Sequence, residues 1–246
     1  MNPQRTFAVV EKEFKLAFAN WPAWGMIIVP TAALTGLLLY ILHAIAKIHD
    51  GALPGWVMDY FLMFFVAMPA LNAAKIAAAG IMGDKASRSL EPLLVTPLTP
   101  LEFIFSKLFI AVCPPVVFAI IAYEVFIRLA VKWNITTASL LGNIGGIACL
   151  GVVLAMTLLL TNLVALNGFL IAARKTETRS ATLASTTAAE GILLLPVAGV
   201  YFGQRHHLSA ASWELAAVGI LLAANAVVFG AALARFRRET ILFKWK

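Results

Sequence analysis

Long apolar runs alternate with short polar breaks along the 246 residues of this chain. Each run is about 20 residues or longer, the length that a helix needs to cross a hydrocarbon core about 30 Å thick. The runs are apolar on every side, whereas a soluble helix keeps a polar face toward water. The pattern predicts an all-α integral membrane protein rather than a soluble helical bundle. The runs are Trp24–Ala46, Val57–Met82, Phe103–Ala130, Leu140–Ala173, Thr182–Phe202 and Trp213–Arg235.

Composition agrees with a membrane location. Hydrophobic residues make up 61% of the chain and charged residues only 13%, whereas soluble domains carry about 25% charged residues. Cys113 and Cys149 both lie inside apolar runs, without the spacing of a metal site or a redox motif. We therefore expect packed cysteines and no metal site.

Basic residues are distributed unevenly between alternate breaks. Of the 19 Lys and Arg residues, 14 lie in the two terminal segments and in the breaks after the second and fourth runs. Because short cytoplasmic loops retain Lys and Arg, the richer side is inside. We expect about six spans with both termini in the cytoplasm. The net charge of +7 then reflects topology and anionic lipid headgroups, and not a nucleic-acid site.

The first 20 residues have the pattern of an amphipathic helix. Its apolar positions recur at helical spacing, and the sequence favours a helix that lies in the membrane interface over one that binds a soluble partner. Residues 21–246 would then form a single transmembrane domain. The apolar positions of the N-terminal helix are Phe7, Val10, Phe14 and Phe18.

The break between the second and third runs, residues 83–107, is the most informative segment. It contains a short amphipathic piece that ends at a proline, because the residue before a proline avoids the helical region. A new helix then starts with Thr99 as N-cap, Pro100 in the first turn and Glu102 three residues after the cap. The apolar residues of the short piece would be held clear of the bilayer. They are interpreted either as a contact for a cytosolic partner or as a helix resting on lipid headgroups.

The residues from Asp84 to Thr99 resemble the signature loop of type-2 ABC exporter permeases. That loop has an acidic–basic start, a Ser-Leu-Glu element, a Leu-Leu pair and Thr-Pro, followed by a small residue and Lys before the third span. Here Ser106 and Lys107 match the last element. The opening Glu-Lys-Glu-Phe and the basic–acidic end of the chain are also similar to the family's termini.

The resemblance implies a mechanism and a set of contact residues. In this family two permease copies sit on two ATP-binding subunits, and the loop between spans two and three acts as a coupling helix. The coupling residues would be Ser89, Leu90, Glu91, Leu93, Leu94, Thr96 and Pro97. A smaller second contact, in the loop 174–181, would use Arg174, Lys175, Glu177 and Arg179. The implied function is the transmembrane subunit of an ATP-driven exporter, a homodimer in the cytoplasmic (inner) membrane of a prokaryote.

Nucleotide chemistry is expected in a partner chain. The sequence contains no Gly-x-x-x-x-Gly-Lys-Ser/Thr motif that would hold a nucleotide. We therefore expect a non-catalytic subunit with no cofactor of its own, while ATP and Mg are used by the partner ATPase. Few charges lie within the runs, which favours a hydrophobic or amphipathic cargo. The family often has short re-entrant helices in the outer hairpin, which here would lie in 191–212.

Three polar residues at membrane depth are candidates for a translocation path or gate: Asn72, Lys75 and Glu190. Asn72 and Lys75 share a face of the second run that should point inward. Lys75 and Glu190 lie at similar depths, so a structural ion pair is an alternative, as is snorkelling of Lys75 to the headgroups. Elsewhere, Glu124 and Arg128 predict a local pair. Asn162 and Asn167 of the fourth run predict hydrogen bonds across helices.

Two other functions were weighed against the permease. A secondary transporter or channel driven by an ion gradient would show a repeat between halves and ion ligands near the midplane, and no convincing repeat is found. An intramembrane enzyme would need a motif such as His-Glu-x-x-His or paired aspartates in the runs. None of these occurs in the sequence.

Overall fold

The computed structural model describes residues 7, 10–12, 14, 15, 21–48, 55–86, 99–133, 147–205 and 210–235. These residues are helical apart from short connections, and no strand occurs among them. Each of the six apolar runs corresponds to one helix of 26 to 33 residues. The helices are α1 (Trp21–Ile48), α2 (Gly55–Ala86), α3 (Pro100–Lys132), α4 (Ile147–Arg174), α5 (Thr178–Arg205) and α6 (Ala210–Arg235).

Five of these helices contain a stretch that is long and apolar enough to cross a membrane: Ile27–Ile48, Met63–Ala86, Leu101–Leu129, Leu154–Arg174 and Leu215–Ala234. The prediction of a multi-pass all-α membrane protein is therefore confirmed at this level. Helix α5 is not among the five. It has 28 residues, or about 42 Å at 1.5 Å per residue, and its first half is rich in Ser and Thr.

The hydroxyl groups of α5 are accommodated by the helix itself. Ser180, Thr182, Thr186 and Thr187 donate to backbone carbonyls three or four residues earlier, at 2.9–3.0 Å. A hydroxyl satisfied in this way does not require water or a partner helix. The Ser and Thr residues of α5 are thus compatible with an apolar environment.

Helix α2 lies at the centre of the bundle. It packs against α3, α4 and α5, whereas α1 packs mainly against α3 and α6 mainly against α4. In α2, 61% of the apolar stretch is buried, against 33% in α1 and 17% in α6. The buried face of α2 is built from small residues, which let the neighbouring backbones approach closely. These residues are Ala70, Ala73, Ala74, Ala77 and Ala78.

Helices α2 and α4 make a close contact at Gly168. A Cβ atom on this glycine would lie 2.9 Å from the backbone oxygen of Ala74, nearer than real Cβ atoms approach. Ser185 of α5 donates to the carbonyl of Gly168 at 3.3 Å and to that of Ala181 at 2.7 Å. The three helices α2, α4 and α5 therefore meet at one level.

Several expectations fall partly outside the described residues. At the N-terminus the described positions are helical, and Lys15 pairs with Glu11 at 2.6 Å, but the interfacial location remains a prediction. Residues 140–146 of the fourth run are not described, and α4 begins at Ile147. Within the predicted outer hairpin 191–212, residues 191–205 continue α5 as one helix and α6 starts at Ala210; residues 206–209 are not described.

Candidate functional site

Polar side chains at the C-terminal end of α2 and in the N-terminal part of α3 form bonds within and between helices and, with the C-terminal carbonyls of α4, are called here the polar junction: Asp84, Lys85, Thr99, Glu102 and Lys107. Lys107 of α3 binds Asp84 of α2 at 2.7 Å, with only 7% and 15% of the two side chains exposed. A buried charge is stable in a protein interior when an opposite charge and hydrogen bonds replace water. This ion pair therefore ties α2 to α3.

Lys85 ties α2 to α4. Its Nζ atom donates hydrogen bonds to the carbonyls of Ala172, Ala173 and Lys175, at 2.9, 3.0 and 2.8 Å. The last carbonyls of a helix have no partner within the helix and carry the negative end of its dipole. A lysine ammonium with three donors matches such a group of acceptors. The side chain of Lys85 thus caps the C-terminus of α4 from a neighbouring helix.

The start of α3 confirms the capping box predicted from sequence. The amide of Thr99 donates to Oε2 of Glu102 at 2.9 Å, and the amide of Glu102 donates to Oγ1 of Thr99 at 3.3 Å. Glu102 is only 3% exposed. These reciprocal bonds satisfy two amides that the helix leaves without partners, and they fix where the chain enters α3 from the loop.

The predicted coupling residues themselves lie outside the described residues. These are Ser89, Leu90, Glu91, Leu93, Leu94, Thr96 and Pro97. The structure describes both ends of the segment that contains them. It leaves α2 at Ala86, next to Lys85, and enters α3 at Thr99. Both ends are anchored in the polar junction.

The residues predicted for the second contact lie in the short connection between α4 and α5 and its flanks. Arg174, Lys175, Glu177 and Arg179 are all exposed. The carbonyl of Glu177 accepts the amide of Ala181 at 3.0 Å, so Glu177 starts the hydrogen bonding of α5. Through the carbonyl of Lys175, this connection is bound to Lys85. The end of α2 that precedes the predicted coupling segment is therefore bonded to the connection that carries the second predicted contact.

The candidate residues at membrane depth separate into two environments. Asn72 is buried, with 6% of its surface exposed. Lys75 and Glu190 are exposed at the surface of the chain, and no ion pair joins these two described residues. The prediction of an inward-pointing face is wrong at Lys75, because the neighbouring helices cover the Asn72 side of α2 and leave this side open.

One group of hydrogen bonds between apolar helices was predicted only in part. Asn162 of α4 donates to the side-chain oxygen of Asn225 in α6 at 2.8 Å, which confirms a bond across helices. Asn225 in turn donates to the carbonyls of Leu159 and Leu221. Asn167 bonds instead to Leu163 in its own helix, so that prediction is wrong. Asn225 was not predicted; the signal that could have identified it is that it is the lone asparagine of the sixth apolar run.

Two further side-chain predictions can be placed. Glu124 and Arg128 form the expected pair one turn apart on α3, at 3.6 Å and largely exposed. Among the described residues, no three His, Cys, Asp or Glu side chains are grouped as a metal site would require.

In comparisons with protein-family models, curated proteins and solved structures, nothing matches this chain.

Proposed function

We propose that this chain is the transmembrane permease subunit of an ATP-driven ABC exporter. Two copies form the translocation path, and separate ATP-binding subunits couple to it through the segment 83–107. In this proposal α5 also crosses the membrane, which makes six spans with both termini in the cytoplasm. The uneven distribution of Lys and Arg and the length of α5 support that topology.

The observation that carries the proposal is the triple hydrogen bond of Lys85. A transporter driven by a cytosolic ATPase needs a stiff connection between the surface that receives force and the helices that move. Lys85 lies at the start of the proposed coupling segment and binds the end of α4 and the following connection. The Asp84–Lys107 pair ties the same point to α3. Force applied to the segment would reach three helices together.

The proposed division of labour gives this chain no catalytic step. The ATPase subunit would bind ATP and Mg, and this chain would supply the path and the force-receiving surface. Leu93 and Leu94 would fill an apolar groove of the ATPase, where a buried leucine contributes about 1.5–3 kcal/mol. The exposed side chains of Arg174, Lys175 and Arg179 would meet acidic groups of the same subunit.

The experiment is purification of the full chain from its native membrane, followed by identification of co-purifying proteins and measurement of ATP hydrolysis in lipid nanodiscs. We expect a subunit with a phosphate-binding loop. Leu93→Asp combined with Leu94→Asp should remove it, because two carboxylates would enter an apolar groove. The matched control is Leu93→Met with Leu94→Met, which keeps the surface apolar and should retain the subunit.

Two results would overturn the proposal. One is the absence of any ATP-binding subunit from the purified wild-type protein. The other is a bound ATPase whose retention and activity are unchanged by the double aspartate variant. Ion-gradient-driven flux from the chain alone, reconstituted without ATP, would instead favour a secondary transporter or channel.

A further inference from the structure

The helices of the bundle expose two kinds of surface at membrane depth. Between its ends α3 exposes aliphatic and aromatic side chains, and α6 exposes apolar and small ones, as suits contact with lipid tails. The large exposed side chains of these two helices include Phe109, Val117, Ile120, Ile121, Leu222 and Val227. Helix α2 differs, since it exposes Lys75 near the middle of its apolar stretch Met63–Ala86. Helix α5, which is proposed to span the membrane as well, exposes Glu190 near its middle. Thr187, one turn before Glu190, is exposed as well.

Lipid is an unsuitable cover for the face that carries Lys75 and Glu190. A charged side chain at the bilayer centre costs about 3 kcal/mol or more. Neither residue has an ion-pair partner within the described part of the chain. The exposed charges of α3 differ in this respect, because Glu124 and Arg128 pair with each other near the end of the helix. The face of α2 and α5 therefore needs a polar partner that the single chain does not supply.

The two charges lie at nearby levels in the bundle. Ala74, Gly168 and Ser185 mark one level where α2, α4 and α5 touch. Lys75 is one residue nearer the polar junction than Ala74, and Glu190 is five residues farther from it than Ser185. At 1.5 Å per residue the two backbones are offset by about 9 Å. Because Cβ atoms tilt toward the helix N-terminus and the two helices run in opposite directions, both side chains lean toward each other's level.

We propose that this face binds a second copy of the chain, with Lys75 of each copy paired to Glu190 of the other. Helices α2 and α5 pack against each other, and their exposed sides carry one positive and one negative charge, Lys75 and Glu190. Under a two-fold axis each residue that contacts its partner is contacted in return, so such a face is complementary to itself. A partner that presented charge of one sign would satisfy only one of the two residues. The inference deepens the proposed function, which expects two permease copies, by assigning the helices and the ion pairs that join them.

Thiol crosslinking in lipid nanodiscs tests the contact directly. Chains with Cys113 and Cys149 changed to Ala are made in two tagged forms, one with Lys75→Cys and the other with Glu190→Cys. A Lys–Glu pair holds its two backbones farther apart than the Cα separation of about 7 Å that a disulfide tolerates, so the co-expressed forms are treated with a flexible bis-methanethiosulfonate reagent, which should give a crosslinked species carrying both tags. Absence of this species would overturn the proposal. So would a chain carrying both cysteines that crosslinks only within itself, because the charges would then pair inside one copy.

Charge reversal tests the energetics and controls for misfolding. Lys75→Glu or Glu190→Lys alone places like charges opposite each other, and the dimer dissociation constant measured by single-molecule colocalisation in lipid should rise at least tenfold. The double variant Lys75→Glu with Glu190→Lys restores both pairs and should recover wild-type affinity. The control, Glu124→Lys with Arg128→Glu, reverses an exposed pair of α3 and should leave dimerisation unchanged.

The results of these experiments distinguish failure of the proposed interface from failure of the proposed function. If the charge reversals leave the dimer dissociation constant unchanged while the ATPase still co-purifies, the proposed interface is wrong and the permease proposal stands. Reversal and rescue of dimerisation in a protein without any ATPase supports the interface and overturns the permease proposal.

Discussion

Helix α2 carries charged residues in two different environments: one set is bonded to neighbouring helices, and the other is exposed. At its C-terminal end, Asp84 and Lys85 are half-buried and bind groups on α3 and at the end of α4. Nine residues before Asp84, Lys75 is exposed and has no ion pair with the described residues. Charges that are satisfied inside the chain fix its own fold, whereas charges left open at membrane depth point to a partner outside it. The comparison predicts large stability effects at the first group and small ones at exposed charges.

The largest loss of stability is expected from Lys107→Met. It leaves Asp84 buried without its counter-charge, and breaking a buried pair from one side costs about 3–5 kcal/mol. The free energy of unfolding would be measured by steric trapping in bicelles. The control is Asp84→Leu combined with Lys107→Met, which removes both charges and should recover most of the loss. A single variant as stable as wild type would show that the pair is not buried in the membrane-embedded protein.

A smaller effect is expected from Lys85→Met, which keeps the length of the side chain and removes its three hydrogen bonds. A hydrogen bond to a charged group contributes about 1.5–3 kcal/mol net. Because the three bonds share one half-exposed ammonium group that water can reach after the substitution, we expect a total loss of about 2 kcal/mol rather than three times that contribution. Amide hydrogen exchange should also increase in residues 172–178. Lys85→Arg should preserve part of the protection. Lys175→Met, at an exposed side chain, should leave exchange unchanged, and equal exchange in Lys85→Met would contradict the capping role.

Loss of the α3 cap by Thr99→Ala should cost about 1 kcal/mol, since the substitution removes one of the two reciprocal bonds of the capping box. Thr99→Ser retains the hydroxyl and should be nearly neutral. Thermal unfolding of the two variants in the same detergent gives the comparison. Equal melting temperatures would mean that α3 is fixed by packing alone.

The smallest effect is expected from Glu124→Gln. The pair with Arg128 is exposed on one helix face, and pairs of this kind contribute about 0.3–0.5 kcal/mol. Unfolding in bicelles at low and high salt would measure it, with Arg128→Gln as the matched variant. A loss comparable to that of Lys107→Met would remove the distinction between buried and exposed charges on which the comparison depends.

Much of the local structure could be predicted from sequence because its causes are local. The apolar runs predicted each helix, and Thr99, Pro100 and Glu102 predicted how α3 begins. The pair of Glu124 and Arg128 followed from their spacing of one turn. In these cases the interacting groups are four residues apart or fewer, so helical geometry alone brings them together.

Less of the candidate site could be predicted from the sequence. From the sequence, Lys85 is a charge that sets topology and the basic residue in the acidic–basic start of the loop. Its hydrogen bonds could not be predicted, because the carbonyls that it binds, at the end of α4 and in the connection after it, are 87 to 90 residues away in sequence. Helical spacing placed Asn72 and Lys75 on one face, but which part of that face is covered depends on how α3, α4 and α5 pack around α2.

The sequence by itself determined that this is a helical membrane protein and where its helices lie, because hydropathy and capping act within a single helix. It also supplied the resemblance that implies a permease. The tertiary structure decided which charges are satisfied within the chain and which remain open at its surface. That distinction depends on the distances between helices, and the close approach of α2 to α4 at Gly168 belongs to neither helix alone.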